Sequence, residues 1–216
     1  MSGELAQELK ACKDASRART SAENLAVMDG ATAALRAAGL PEQSLAVGAR
    51  APEFLLPDAN GGEVALAALL ATGPVVLAFY RGAWCPYCMI ELHALQVRLG
   101  EITGAGATLV AVSPQTPDNS LSTAEKLDLA FPVLSDVGNV VARSFGLVFS
   151  LPEDLRTVYD GFGIDLPAAN GDQTFELPVP ATFVIAADGT VAWRFVDADY
   201  TKRAEPDEVI AALAGL

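Results

Sequence analysis

Apolar residues along this chain follow two different spacings, and the change from one to the other divides it. Leu5, Leu9 and Cys12 stand at i, i+4 and i+7. After a polar stretch around Ser16 to Ser21, the stripe resumes with Leu25, Met28, Thr32 and Leu35. Such spacing lines one face of a helix and predicts one or two amphipathic segments. Gly39 followed by Leu40-Pro41 is a stop signal, since glycine accepts the left-handed conformation past a helix end and proline cannot continue the ladder. Residues 1–45 are therefore expected to form a helical extension, an arm docked on the rest of the chain or on a partner subunit.

From about Val47 short apolar runs alternate with amphipathic stretches. Phe54 and Leu56 lead through the turn Asp58 to Gly62 to a second short strand at Val64. Val75 to Tyr80 reads as a buried strand, Pro86 to about Leu99 as a helix, and Thr108 to Val112 as a strand. Thr116 offers an N-cap with Pro117 behind it. Phe131 to Leu134 is a brief strand, and Asp136 caps a helix that stops at Gly146. Ala181 to Ala186 and Val191 to Val196 flank an Asp188-Gly189 pair, a hairpin signal, and Glu205 to Leu213 closes with a helix. This order predicts an α/β domain over 46–216, a mixed central sheet with helices on both faces. Residues 147–179 fit least well and read as a long insertion: a short helix over Pro152 to Tyr159, the rest loop. Loops of that length in compact domains are usually functional, so the segment is expected beside the reactive centre, restricting access with Phe149, Tyr159, Phe162 and Phe175.

Charge narrows the function. Against 14 Lys+Arg the chain carries 27 Asp+Glu, a net charge of −13. That field repels a phosphate backbone and an anionic membrane surface, so neither nucleic acid nor membrane is expected as a partner. No apolar run approaches the roughly 20 residues of a membrane-spanning helix. Met1 to Lys10 lacks a basic leader before an apolar stretch, so it does not read as a secretion signal. Three cysteines make no closed set of disulfides, and two of them lie three residues apart, which points to redox or metal chemistry in a cytoplasmic setting.

The chemistry concentrates in Leu77-Ala-Phe-Tyr-Arg81-Gly-Ala-Trp84-Cys85-Pro86-Tyr87-Cys88, where a strand gives way to a helix. With Cys85 as N-cap and Pro86 at the first helical position, Cys88 falls at N3, and its N–H is expected to point at the Cys85 sulfur. The helix dipole and the Arg81 guanidinium add to that donor, and all three favour the reactive thiolate. One turn separates the side chains, so the second attacks an adduct on the first. Trp84 and Tyr87 are expected to wall the pair. A zinc site needs further ligands, and only Cys12 and His93 remain as soft candidates. Two inert core cysteines are the other alternative. Cys12 itself reads as a core residue or a remote resolving thiol, and His93 as a packing or solvent-facing side chain. Pro180, just before a strand, marks an edge or bend. It is either a cis-proline presenting its backbone beside the cysteines or a trans residue opening the strand.

The Trp84-Cys-Pro-Tyr-Cys88 stretch, Pro180-Ala-Thr-Phe-Val-Ile185 and the order of elements resemble the thioredoxin fold. Val47-Gly-Ala-Arg-Ala-Pro52-Glu-Phe54, Phe131-Pro-Val-Leu-Ser-Asp136 and Thr182-Phe-Val-Ile185 resemble the peroxiredoxins of the alkyl hydroperoxide reductase/thiol-specific antioxidant family. The likeness runs from about Val47 to the C-terminus. Laid on that family's Pro-x-x-x-Thr-x-x-Cys pattern, Arg81 takes the proline place, Cys85 the threonine place and Cys88 the peroxidatic place. Pro180 falls where the family has its later arginine.

The resemblance implies a thiol-based antioxidant oxidoreductase that reduces peroxides through Cys85 and Cys88, supported by Arg81, Trp84 and Pro180. A thioredoxin- or glutathione-type reductant would reset it, with no metal or organic cofactor. The alternative is a thioredoxin-like protein disulfide reductase. A non-catalytic binding module is a third reading, for which two thiols at a helix start have no use. The apolar arm suggests a homodimer.

Overall fold

The computed structural model describes residues 3–216. Helices α1 (Glu4–Arg19), α2 (Ala22–Ala37) and α3 (Leu40–Gln43) come first, then a ribbon of β1 (Leu55–Pro57) and β2 (Glu63–Ala65) that runs into α4 (Leu66–Leu70). Next come β3 (Val75–Phe79), α5 (Pro86–Val97), α6 (Leu99–Gly104), β4 (Thr108–Ser113), α7 (Pro117–Leu127), β5 (Val133–Ser135) and α8 (Val140–Ser144). The following segment holds β6 (Val148–Ser150), α9 (Glu153–Gly161), α10 (Leu166–Asn170) and β7 (Glu176–Pro178). The chain closes with β8 (Ala181–Ile185), β9 (Val191–Val196) and α11 (Pro206–Ala214).

The central sheet has the order β5-β4-β3-β8-β9, with β3, β4 and β5 parallel and β8 and β9 antiparallel to their neighbours. This is the mixed sheet expected of a thioredoxin-like fold. β3 is apolar at every position because both of its faces are covered. Val76, Ala78 and Tyr80 meet Leu92 and Leu95 of α5, Ile102 of α6 and Val209 and Leu213 of α11. Val75, Leu77 and Phe79 meet Leu66 of α4, Val141 of α8 and the ring pair Phe145 and Phe183. Carrying the chain out of the middle of this sheet, β3 delivers whatever follows Phe79 to the centre of the molecule's C-terminal rim.

Two expectations are corrected in detail. The Asp136 carboxylate does accept the Val141 and Ala142 N–H groups, at 3.0 and 2.8 Å, but the helix starts only at Val140, behind a left-handed Asn139. Residues 147–179 are not mainly loop: β6 and β7 pair antiparallel, and α9 and α10 lie between them. Their apolar residues, Leu151, Leu155, Val158, Tyr159, Leu166 and Leu177, form a third small core.

The arm docks on its own chain. Leu5 and Leu9 enter the core beside α5, with Cys12 packed at its margin. Val27, Met28 and Ala31 of α2 cover the third core. Leu5 and Leu9 of the stripe are thus buried within one chain, while Leu25, Met28, Thr32 and Leu35 of α2 stay half-buried. Arg17 pairs with Asp29 at 2.8 Å, joining α1 to α2, and Lys13 pairs with Asp199 at 3.0 Å, tying the arm to the domain. No helix of the described residues is long and apolar enough to cross a membrane.

Candidate active site

Beyond β3 the backbone turns through Arg81–Trp84 and enters α5 at Pro86, with Cys85 as the extended N-cap residue. Gly82 makes the turn possible. Its φ is +144°, and a Cβ there would lie 2.5 Å from the Trp84 indole nitrogen. The expected cap is not the one formed: the Cys88 N–H donates to the Cys85 carbonyl oxygen at 3.0 Å, and the Cys85 sulfur caps nothing. The first-turn i→i+3 carbonyl bond has taken the only backbone donor that Cys88 offers, so charge on sulfur is stabilised by side chains instead.

Both cysteines are fully buried, with 0% exposure, and lie one helical turn apart at the start of α5. Each also meets a guanidinium. Arg81 Nη2 donates to Cys85 Sγ at 3.3 Å, and Arg203 Nη2 donates to Cys88 Sγ at 3.2 Å. The Arg81 backbone N–H is a further donor to Cys88 Sγ, at 3.5 Å. Burial pushes the Cys85 thiol up. Its hydrogen bond with Cys88 and the charges of Arg81 and Arg203 outweigh that and hold it well below the ordinary thiol value. Cys88 moves the other way: burial, then its hydrogen bond to Cys85 and the charge there, keep its proton on. The two directions favour the thiolate on Cys85 and the thiol on Cys88.

The surroundings of the two arginines differ. Arg81 Nη1 donates to the Tyr159 hydroxyl at 2.8 Å, and its guanidinium lies 5.0 Å from the Trp84 ring centroid and 4.2 Å from that of Tyr200. Tyr159 meets Trp84 edge-on at 5.6 Å, and Tyr87 does the same to Tyr200. Arg203 Nε is paired with Glu91, and its Nη1 donates to the carbonyls of Tyr200 and Lys202 at 2.6 and 2.7 Å. Glu91 also accepts from Thr182 of β8 at 3.4 Å.

Of the residues singled out from sequence, Cys85, Cys88, Arg81 and Trp84 converge. Pro180 is trans, since the described residues contain no cis peptide bond. It precedes β8, a central strand rather than an edge, and lines an apolar cavity of about 270 Å³ that ends on Arg81. The 147–179 segment does lie beside the site, against Arg81 and Trp84. Tyr159 reaches Arg81, and Phe149 lines the cavity, while Phe175 stacks on Arg156 and Phe162 is half exposed. His93 is exposed, and among the described residues no three His, Cys, Asp or Glu side chains gather as a metal-ligand set.

Sequence reasoning passed over Arg203, Glu91 and Tyr200. Glu91 carried a signal: a carboxylate three residues after Cys88, on the same helix face and the one acidic residue of α5. Arg203 carried none, lying in a coil 115 residues from the sulfur it touches.

Comparison with known proteins agrees with this architecture. A putative peroxiredoxin of Mycobacterium tuberculosis is 35% identical over 102 residues, 47% of this chain, and the match spans 64% of that relative's length. Peroxiredoxin Bcp of Escherichia coli is 32% identical over 117 residues, covering 54% of this chain and 74% of its own. Among solved structures, peroxidoxin BcpB of Mycobacterium tuberculosis superposes with a TM-score of 0.62 at 26% identity, over 79% of this chain and 97% of that one. Residues 47–194 match the AhpC/TSA family model, a stretch that begins after α3 and contains both buried cysteines, Arg81 and Glu91. The chain belongs to the AhpC/TSA family, within the thioredoxin-like superfamily.

Proposed function

We propose that the protein is a thiol peroxidase in which Cys85 attacks the peroxide and Cys88 resolves the product. The observation that carries this reading is the asymmetry of the pair: two buried cysteines at one helix start, each sulfur on its own guanidinium, with the thiolate favoured at Cys85, whose partner Arg81 lines the cavity. In the first step the Cys85 thiolate attacks one oxygen of ROOH. The O–O bond breaks, Cys85 becomes a sulfenic acid, and the departing RO⁻ takes up a proton to leave as ROH. Arg81, on Cys85 Sγ, stabilises the negative charge that moves onto oxygen. In the second step Cys88 attacks the sulfenic sulfur, a disulfide forms, and the hydroxyl leaves as water. The sum is dithiol plus ROOH to disulfide plus ROH and water, and an external thiol returns the two electrons.

Cys88 falls at the family's peroxidatic place, so this assignment exchanges the roles within the pair. Its support is electrostatic. Cys88 keeps its proton, and the resolving thiol is the one that benefits from delivering its proton late. A disulfide reductase acting on folded proteins is disfavoured by the burial of both sulfurs. A pair that must return to the dithiol suits a reducing compartment such as the cytoplasm.

The test is a brief hydrogen peroxide pulse on Cys85→Ser and Cys88→Ser, with dimedone present and the adduct located by mass spectrometry. Dimedone is expected on Cys85 in Cys88→Ser, with no adduct in Cys85→Ser. An adduct on Cys88 in Cys85→Ser alone would return the peroxidatic role to Cys88. No adduct in either variant would remove the peroxidase reading.

A further inference from the structure

The cavity that ends on Arg81 has apolar walls and a cationic floor. Met28, Ala31 and Leu35 of α2 line it together with Phe149 and Leu155, and Arg81 is the one charged side chain among its described lining residues. Neither cysteine lines it, so a molecule seated there meets the guanidinium and no sulfur.

Arg81 is only 4% exposed, and its hydrogen bonds are incomplete. Nη1 donates to Tyr159 and Nη2 to Cys85, while Nε has no partner. The charges acting on it come from the two cysteines and from Tyr159 and Tyr200, with no carboxylate among them. A buried guanidinium with a free N–H and no carboxylate lacks an acceptor that its chemistry calls for. The Tyr159 hydroxyl, which accepts from Nη1 and also lines the cavity, keeps its own proton to donate.

We propose that this cavity binds a monocarboxylate with an apolar tail, its carboxylate on Arg81 and its tail between α2 and the 147–179 segment. The head group follows from the floor: a carboxylate only accepts, and its bonds to a guanidinium are among the strong ones. The tail follows from the walls, because methylene groups gain by leaving water against Met28, Leu35 and Phe149. From Met28 to Leu35 the helix wall runs about 10 Å at a rise of about 1.5 Å per residue, so several methylenes lie against it. The net charge of −13 sharpens the choice, since its field works against every anion and only a tail offsets that repulsion.

The site stands independently of the peroxidase reading. Its consequence for the pair rests on the thiolate at Cys85: thiolate and carboxylate draw on one guanidinium, so each weakens the hold of the other. A bound carboxylate restrains the pair, and oxidation of Cys85 favours the ligand.

The test is calorimetric titration of the reduced full chain with butanoate, hexanoate, octanoate and 1-octanol. Affinity is expected to rise roughly two- to fourfold per methylene along the acids. 1-Octanol is expected to bind about tenfold or more weakly than octanoate. In Arg81→Gln that preference should vanish, and in Cys85→Ser octanoate should bind about fivefold or more tightly than in the parent. Equal binding of octanol and octanoate by the parent would overturn the proposal, by showing an apolar cleft without an anion site. An affinity independent of chain length would overturn it as well, by placing the anion on a surface cation, as would an absence of octanoate binding in the millimolar range. So would a head-group preference retained in Arg81→Gln. Equal octanoate affinity in Cys85→Ser and the parent would strike the competition with the sulfur. None of these readouts uses peroxide, so failure here is distinct from failure of the peroxidase reading.

Discussion

Cys85 and Cys88 are equally buried and each meets an arginine, but the two corners are built from different materials. The Arg81 corner is aromatic: Trp84, Tyr159 and Tyr200 surround the guanidinium, no carboxylate touches it, and its Nε is unpaired. The Arg203 corner is ionic and closed, since Glu91 and two backbone carbonyls hold the guanidinium. A charge already matched by a carboxylate has a weakened field at a neighbouring sulfur; one packed only among rings has its full field. The opposite pKa directions at the two cysteines come from the pair itself, since the interaction that lowers Cys85 raises Cys88; the corners bear on which sulfur carries the charge. The difference between the corners also assigns them different duties, one to hold the fold and one to hold charge.

The largest expected effect breaks the ionic corner. Arg203→Met leaves Glu91 buried without its partner, and loss of one member of a buried pair costs about 3–5 kcal/mol. Urea unfolding followed by circular dichroism measures this. Removing both charges in Arg203→Met/Glu91→Leu is expected to recover most of the loss, because the remaining site is apolar. A midpoint for Arg203→Met that matches the parent protein would show that this corner does not hold the fold.

The next effect concerns charge rather than fold. In the parent protein the Cys85 thiolate, read by its ultraviolet absorbance, is expected to persist well below the ordinary thiol pKa of about 8.5. A thiol whose folded value is depressed contributes stability at pH above its unfolded value, and that contribution is lost as pH falls through the folded value. Arg81→Gln removes the guanidinium but keeps a polar planar group, and the midpoint is expected to climb toward the ordinary value. At pH about 7 a thiol of pKa about 8.5 is only about 3% ionised, so peroxide consumption should fall by about thirtyfold. Stability in urea should change far less than for Arg203→Met. If Arg81→Gln leaves the midpoint where it was, the hydrogen bond from Cys88 and the Arg203 charge set it, and the aromatic corner has no electrostatic duty.

How much of this was legible in the sequence follows from where each signal lies along the chain. Val75–Phe79 and the Cys85–Pro86 helix start are local: a β-branched apolar run, and a proline at the one helical position that tolerates it. The same holds for Arg81, four residues from the sulfur it touches. The closed corner joins Cys88 and Glu91 to Arg203 across more than a hundred residues, and no period or turn signal spans that distance. Residues 147–179 misled for another reason. Strands of three residues such as β6 and β7 are too short to display alternation, and Pro178 at the end of β7 reads as a loop residue until its partner Val148 is seen. The Cys88 N–H went to a carbonyl because backbone geometry at a helix start has first claim on that donor, whatever the side chain before it.

The smallest effect tests whether the two corners are separate at all. Tyr200, over Arg81, and Arg203, on Cys88, belong to one loop, and Lys13 of α1 clamps it through Asp199 and Thr201 at 3.0 and 3.1 Å. Burial raises the Asp199 carboxyl, but hydrogen bonds from Thr201 and Lys13 outweigh it and leave the group below its ordinary value. The clamp therefore acts above the ordinary carboxylate range and weakens as pH falls through the lowered value. Lys13 is about one third exposed, and pairs of that kind contribute under about 1 kcal/mol, so Lys13→Met should shift the urea midpoint only slightly. If the corners act independently, peroxide consumption should stay within about threefold of the parent, since less than about 1 kcal/mol is available to redistribute. A thirtyfold loss of rate with the urea midpoint held would mean that the arm, through this loop, positions Tyr200 and Arg203 together. The contrast between an aromatic and an ionic corner would then describe two ends of one device, set by a helix outside the family-matched region.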